Sequence, residues 1–570
     1  MRAYLPPQLE RGERAWGLGV NLYAVRSARN WGMGDFTDLR TLVEAAVRLG
    51  ADLVGINPLH ALHWIDLEAA SPYAPNSRFF LNPFYIDVEA VPEFADPAVR
   101  RLVENPTFQG ALQAARTSPS VRYPLVRTCK RRALEALNAA FQRGTSVERQ
   151  HAYERFLTRE SSRLQWFARH EALSESFARE EGRARGWLSW PEEFRNPESG
   201  AVERFALEAH RRVSFFLYLQ FVADEQLAAA AHAARDLSIG LYRDLAVGVD
   251  LNSADVWSEQ RRYVFDYTVG APPDPIGPLG QNWNLAPLDP GSLEREGGAI
   301  FAALLRSNMA HAGALRIDHV MSMQRLFWIP RGGRPTDGAY VAYPFETMRS
   351  VAAAESVRAR CTIVGEDLGT VPDGFRECME ADGILSYRPL LFERDWDGSF
   401  CSPERYPSNA LATATTHDLP TLLGWALGRD IDVRLRAGLM EKDAAQAAAA
   451  ARRIDASHLL EALRAAGELD AESVTRLQDA LDERRSDAGA YASLVAAAYC
   501  FLARSPARIV QVQFDDVSGE LDQVNVPGTL TEYPNWRRRS GLAVDALTQD
   551  ERLTGLAARL NQIVRGGRGA

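Results

Sequence analysis

The stretch GDFTDLRTLVEAAVRLGADLVGINPLH, residues 34–60, carries the pattern from which the fold can be read. Leu39, Leu42, Val43, Ala46 and Val47 recur at helical spacing and make one apolar stripe. Asp38 can cap that helix at its start, and Gly50 can stop it. Beyond Gly50, the run Leu53, Val54, Gly55, Ile56 is apolar throughout and ends at Asn57-Pro58, which reads as a strand buried on both faces. Upstream, Leu18–Leu22 reads as another strand. Strand, helix and strand within about 40 residues form a βαβ unit, whose two strands must lie parallel.

The pattern returns along the chain. Phe301, Leu304, Leu305 and Met309 make a second helical face that Gly313 can stop, and Ala314–Ile317 follows as a strand. Met348, Val351 and Ala352 begin another helix before the strand-like Cys361–Val364, and Arg508–Phe514 is a late strand. Repeated βα units spread over most of the chain, with no dinucleotide fingerprint or P-loop after any strand, predict an α/β fold of the (β/α)8 TIM-barrel type. Two stretches break the rhythm: residues 103–235, with segments such as LQWFARHEAL and RARGWLSWPEEF, and the alanine-rich residues 431–490. Both read as helical insertions in barrel loops, so residues 1–570 are expected to form a single catalytic barrel interrupted twice. The alanine-rich stretch has high helix propensity and reads as a solvent-facing support.

Bulk properties narrow the class. The chain has 570 residues, 46% hydrophobic and 24% charged, which is ordinary for a globular protein. A net charge of −9 argues against a phosphate-binding surface, so no nucleic-acid partner is expected. The five cysteines include no CxxC pair, which reads as reduced thiols in a cytoplasmic protein. The N-terminal MRAYLPPQLERGERAWG lacks the apolar core of a signal peptide, and no apolar run approaches the roughly 20 residues that span a bilayer, so no membrane partner is expected.

Charge then appears where a buried strand should have none. In GALRIDHVMSM, residues 313–323, Leu315 and Ile317 share one face of a strand while Arg316 and Asp318 share the other. In a barrel the first pair packs on the helix layer, and the second points inward at the C-terminal rim, where barrel enzymes keep their chemistry. The fixed charge of Arg316 favours an ionised Asp318, suited to act as nucleophile or charge stabiliser. A structural ion pair closing the barrel mouth would look the same from this strand alone. Two more strand-like runs end in acids: CTIVGEDLGTVP in Glu366-Asp367, and ALATATTHDLPTLLGW in His417-Asp418.

Three carboxylates gathered on one rim suit glycoside chemistry. One acid attacks or stabilises an oxocarbenium-like centre, and a second, kept protonated, donates to the leaving oxygen. The neighbouring Arg316 nominates Asp318 as the ionised member, but the donor stays open between Glu366 and Asp367, because adjacent strand residues point opposite ways. A metal site built on His60, His319 and His417 is the competing chemistry, but no HxH on the first strand and no HExxH supports it. Nor is there a GxSxG for a serine nucleophile. No metal and no cofactor are expected.

The blocks GALRIDHVMSMQRLFWIP, IVGEDLGTVP and THDLPTLLGW resemble the signature segments of the 4-α-glucanotransferases (amylomaltases, or disproportionating enzymes) of glycoside hydrolase family 77. The likeness continues in LYAVRSARNWGMGDFTDL, ASPYAPNSRFFLNPFYIDV, GLYRDLAVGVD, VGAPPDPIGPLGQNWNLAPLDP and LDQVNVPGTLTEYPNWRRR, so it runs from Trp16 to Arg539. It is nearest to the bacterial maltose-utilisation branch, whose members often carry a further domain ahead of the barrel; here the barrel pattern begins almost at once. The resemblance implies Asp318 as nucleophile, Glu366 as acid/base and Asp418 as a third acid gripping sugar hydroxyls. It implies substrate contacts from Arg316, His319, His417 and Asp244, with Tyr73 and Trp283 lining the groove. Aromatic faces can bury the apolar CH side of a pyranose. Expected partners are α-1,4-glucans such as maltooligosaccharides, with glucose as an acceptor. An α-amylase-type hydrolase is the alternative reaction, and a glucan-binding protein on an inactive barrel is the non-enzymatic reading.

Overall fold

The computed structural model describes residues 1–144, 146–160, 162–181, 186–273, 279–484, 487–529 and 531–566. Parts of the segments RARGWLSWPEEF, VGAPPDPIGPLGQNWNLAPLDP and LDQVNVPGTLTEYPNWRRR, and residues 145, 161, 485 and 486 of the two helix-rich stretches, lie outside the described residues. Eight strands close into a barrel: β1 (Ala15–Val20), β2 (Leu53–Ile56), β3 (Gly240–Leu245), β4 (Ala314–Ile317), β5 (Thr362–Gly365), β6 (Leu385–Pro389), β7 (Ala410–Thr413) and β8 (Ile509–Gln513). Each pairs in parallel with its sequence neighbour, and β8 closes on β1 with Ala15 opposite Ile509. The outer helices are α1 (Phe36–Leu49), α2 (His210–Ala233), α3 (Ala299–Met309), α4 (Phe345–Ala359), α5 (Phe375–Asp382), α6 (Ala488–Arg504) and α7 (Glu551–Gly566).

The elements depart from the sequence reading in detail, each time for a local reason. The first strand is Ala15–Val20 rather than Leu18–Leu22, because Leu22 begins a 3-10 turn whose amide is bound by the Asn57 side chain. Asp35, not Asp38, caps α1; Asp38 sits three residues inside and returns a bond to the Asp35 amide, completing a capping box. Gly50 does end α1, in the left-handed conformation. Helix α3 stops at Met309, before Gly313. Gly313 instead lets two backbones approach, since a Cβ there would lie 1.6 Å from the Ile239 carbonyl oxygen. The later strands are Thr362–Gly365 and Ile509–Gln513, each shifted or trimmed relative to the apolar run that signalled it.

Two cores follow from strand alternation. Leu315 and Ile317 pack outward with Leu304, Leu305, Met309, Met348 and Ile363 against the helix layer. Ala15, Leu53, Tyr242, Ala314, Val364, Leu385, Leu411 and Ile509 fill the barrel, with Leu5 and Leu9 of the N-terminal segment joining them. Gly55 leaves room inside the barrel: a Cβ there would meet Gln511 at 2.4 Å and the Tyr242 ring at 2.9 Å.

The loops at the C-terminal ends of the strands carry the extra structure. Between β2 and α2 the chain passes through several helices, including Tyr123–Arg143 and Ser162–Glu181. The excursions after β3 and β4 build a five-stranded sheet that includes Tyr267–Ala271, Gln281–Ala286 and Arg325–Pro330. Between β7 and α6 run the helices Arg429–Arg436, Lys442–Ala465 and Ala471–Asp482. Among the described residues, no helix is long and apolar enough to cross a membrane.

Candidate active site

Strand register sets the charged residues in place. Asp244 on β3 lies opposite Arg316 on β4, and Arg316 lies opposite Val364 on β5. All three point into the barrel, because Ala314, Tyr242 and Val364 in the same phase are interior residues. One terminal nitrogen of Arg316 sits 2.9 Å from Asp244 Oδ1 and 2.8 Å from Asp318 Oδ1. The guanidinium also lies over the Tyr387 ring, 5.6 Å from its centre. Burial pushes the Asp244 carboxyl above its ordinary range despite Arg316, and the Tyr73 hydroxyl donates to it at 2.6 Å.

The end of β5 separates the two adjacent acids. Glu366 continues the inward phase of Val364, and its oxygens accept the backbone amides of His319 at 2.8 Å and Leu368 at 2.7 Å. Burial, added to by the charge of Asp318 and opposed by Arg316, raises Glu366 to about 7. Asp367 is committed elsewhere: it accepts from Ser386 Oγ, the Tyr387 amide and Arg376. It ties β5 to β6 and to α5. Of the two adjacent acids, Glu366 is therefore the one that continues the inward phase of β5, and Asp367 the one tied into the neighbouring strand and helix.

Asp418 lies in a turn five residues past the end of β7 rather than at the strand end itself. Gln513 anchors that turn through Thr413 Oγ1 and the Thr415 carbonyl, and Asp516 holds Thr415 and the Leu422 amide. Asp418 is half-exposed and contacts His417 Nε2 at 3.3 Å and Asn525 Nδ2 at 2.7 Å. Its crevice would raise it, but the His417 charge and hydrogen bond outweigh that and hold it at about 2. In return, Asp418 raises His417 against the burial that would lower it.

Aromatic rings floor and flank these acids. Tyr73 stacks on His417 with centres 4.6 Å apart, and both rings contact Trp536, at 5.5 and 5.4 Å. Trp283, on Gln281–Ala286, meets His319 edge-on at 5.4 Å. His319 adopts φ 47°, and burial lowers its ring to about 4, so it is neutral at pH 7. The cavity lined by Asn21, Asn57, Tyr73, Asp244, Arg316, His417 and Gln513 opens among them. His60, weighed as a metal ligand, is instead a buried acceptor for the Ala246 amide.

All nine residues singled out from sequence therefore meet at one end of the barrel. Asn525, Trp536, Tyr387 and Gln513 belong to the same site and were not singled out. The first two lie in LDQVNVPGTLTEYPNWRRR, where nothing local distinguishes a site residue from a loop residue.

The comparisons bear on this arrangement. The model of the 4-alpha-glucanotransferase family, glycoside hydrolase family 77, matches residues 20–543. The chain belongs to that family. A 4-alpha-glucanotransferase of Haemophilus influenzae is 36% identical over 98% of this chain and 80% of its own length. One of Mycobacterium tuberculosis is 37% identical over 94% of this chain and 72% of its own. The crystal structure of amylomaltase from Corynebacterium glutamicum superposes with a TM-score of 0.85 at 31% identity, covering 98% of this chain and 77% of that one. The (β/α)8 barrel expected from sequence is thus the fold of this glycoside hydrolase family 77 chain.

Proposed function

We propose that this chain transfers segments of α-1,4-glucans, with Asp318 as nucleophile and Glu366 as acid/base. The observation that carries the assignment is the register of β4 and β5: Ile317 pairs with Gly365, so Asp318 and Glu366 each stand one residue beyond a paired position on adjacent strands. Adjacent strands are about 4.8 Å apart, which suits the separation of about 5–5.5 Å used by retaining enzymes. Asp318 attacks the anomeric carbon while Glu366 protonates the departing glycosidic oxygen, leaving a covalent β-glycosyl ester. Glu366 then takes the proton from the 4-hydroxyl of a second glucan or of glucose, whose oxygen attacks the anomeric carbon and expels Asp318. Two inversions restore the α linkage.

The other residues take supporting roles in this reading. Arg316 pairs with Asp318, and Asp418 with His417 binds hydroxyls of the transferred sugar. Asp244, His319, Tyr73 and Trp283 complete the groove. No cofactor is needed, because the bond broken and the bond formed are alike. Five free cysteines support a cytoplasmic setting, where such glucans would be met.

Incubation with maltotriose alone tests the reaction. A ladder of longer glucans together with glucose is expected; shorter products with rising reducing ends would instead mark an α-amylase-type hydrolase. Asp318→Asn is expected to abolish transfer while leaving the melting curve in place. Full turnover by that variant would remove Asp318 from the mechanism.

A further inference from the structure

The helical excursion after β2 touches the site at two points. Arg127, on Tyr123–Arg143, is fully buried, and among the described residues it makes no salt bridge to a carboxylate. Its guanidinium lies over the rings of Phe84 and Tyr123, at 5.0 and 4.9 Å. It donates to the carbonyl of Asp66 at 2.6 Å and to that of Ala69. Those carbonyls belong to the turn that leads into Tyr73. A buried cation without an acid partner is costly, and its Nε–H finds no acceptor among the described residues, so the guanidinium is held by these two carbonyls and the two rings.

The same helix start holds the other side of the aromatic cluster. Tyr123 donates its hydroxyl to the Trp536 carbonyl at 2.7 Å, and the Val121 amide donates to the Arg537 carbonyl at 2.6 Å. Trp536 is 4% exposed and sits at φ 59°, a backbone region that a bulky residue occupies only when its surroundings impose it. Arg537 closes the circuit by an ion pair to Glu68, at 2.8 Å, inside the turn that Arg127 holds.

We propose that Tyr123 and Arg127 are positioning residues for catalysis: they clamp the turn before Tyr73 and the backbone of Trp536, and so fix the Tyr73–His417–Trp536 stack against the substrate. This rests on the reading of Tyr73 and His417 as substrate contacts. It gives the excursion a task at the reacting sugar beyond covering the barrel. Small misplacements of groups that bind the transition state cost rate even where the fold is intact.

The test is steady-state transfer from maltotriose by Tyr123→Phe and Arg127→Lys, each measured well below its own melting temperature. Each should lower kcat/KM about tenfold, with the loss mainly in kcat and KM held within about twofold. A lowered melting temperature with wild-type kcat/KM would make both residues merely structural and overturn the proposal. In a Trp536→Leu background, Tyr123→Phe should cost no further activity; a full additive loss there would also overturn it. Tyr73→Ala separates the two levels of inference. Wild-type turnover by Tyr73→Ala would defeat the substrate-contact reading itself. Loss in Tyr73→Ala with none in Tyr123→Phe and Arg127→Lys would defeat the clamp alone.

Discussion

Arg316 brings a single terminal nitrogen to both Asp244 and Asp318, within 3 Å of each. Burial raises Asp244 despite that pairing, and it raises Glu366 to about 7, a value that makes a pH dependence testable. A donor must hold its proton, so kcat/KM is expected to fall as pH rises through about 7. Stability carries the same sign. The folded value lies above the ordinary 4.5, so deprotonation opposes folding, and the penalty grows from pH 4.5 to about 7 before levelling. Glu366→Gln should abolish turnover and flatten that decline in melting temperature; an unchanged slope would reassign the titration. At this scale, Arg316 and Asp318 were legible because alternation puts them on one face of a short strand. Glu366 and Asp367 were not separable, since both lie beyond the strand and their partners, Arg376, Ser386 and the His319 amide, come from the following helix, the next strand and the end of β4.

Glycines show how far element boundaries can be read. Gly50 ends α1 as expected, because a left-handed stop is a local property of the chain. Gly313 looked like a second stop, yet its constraint is the Ile239 carbonyl, 74 residues away along the chain (313 − 239). Gly313→Ala should therefore destabilise by about 3 kcal/mol, as overpacking against rigid backbone does. Gly110, within the helix Pro106–Arg116 and with open space around it, provides the contrast. Gly110→Ala should stabilise by about 0.5–1 kcal/mol. Urea midpoints of the two variants check both signs; equal shifts would mean that the close approach at Gly313 is not limiting. Capping shows the same division: Asp38 was the cap read from sequence, yet Asp35 caps, because which acid does so depends on where the first turn begins.

At the scale of the whole molecule, the cysteines report on packing. Cys129, Cys361, Cys401 and Cys500 are buried and free, while Cys378 is partly exposed. Burial pushes Cys361 up to about 12 and Cys500 to about 11. The native protein should therefore show at most one thiol reacting quickly, and all five after unfolding in denaturant without reductant. Fewer than five after unfolding would reveal a disulfide and a different packing of these segments.

The sequence by itself determined the repeated βα pattern, hence the parallel barrel, and the three acids following strand-like runs from which glycoside chemistry could be argued. Both are consequences of periodicity, which acts within a few residues and survives without any knowledge of the fold. Only the tertiary structure decided which of two neighbouring acids faces the barrel mouth, what Gly313 is for, and that Trp536 and Asn525 join the site. Those depend on contacts outside the local repeat of the chain, some of them between segments more than a hundred residues apart, where a side chain's role is set by what packs against it rather than by its neighbours in the chain.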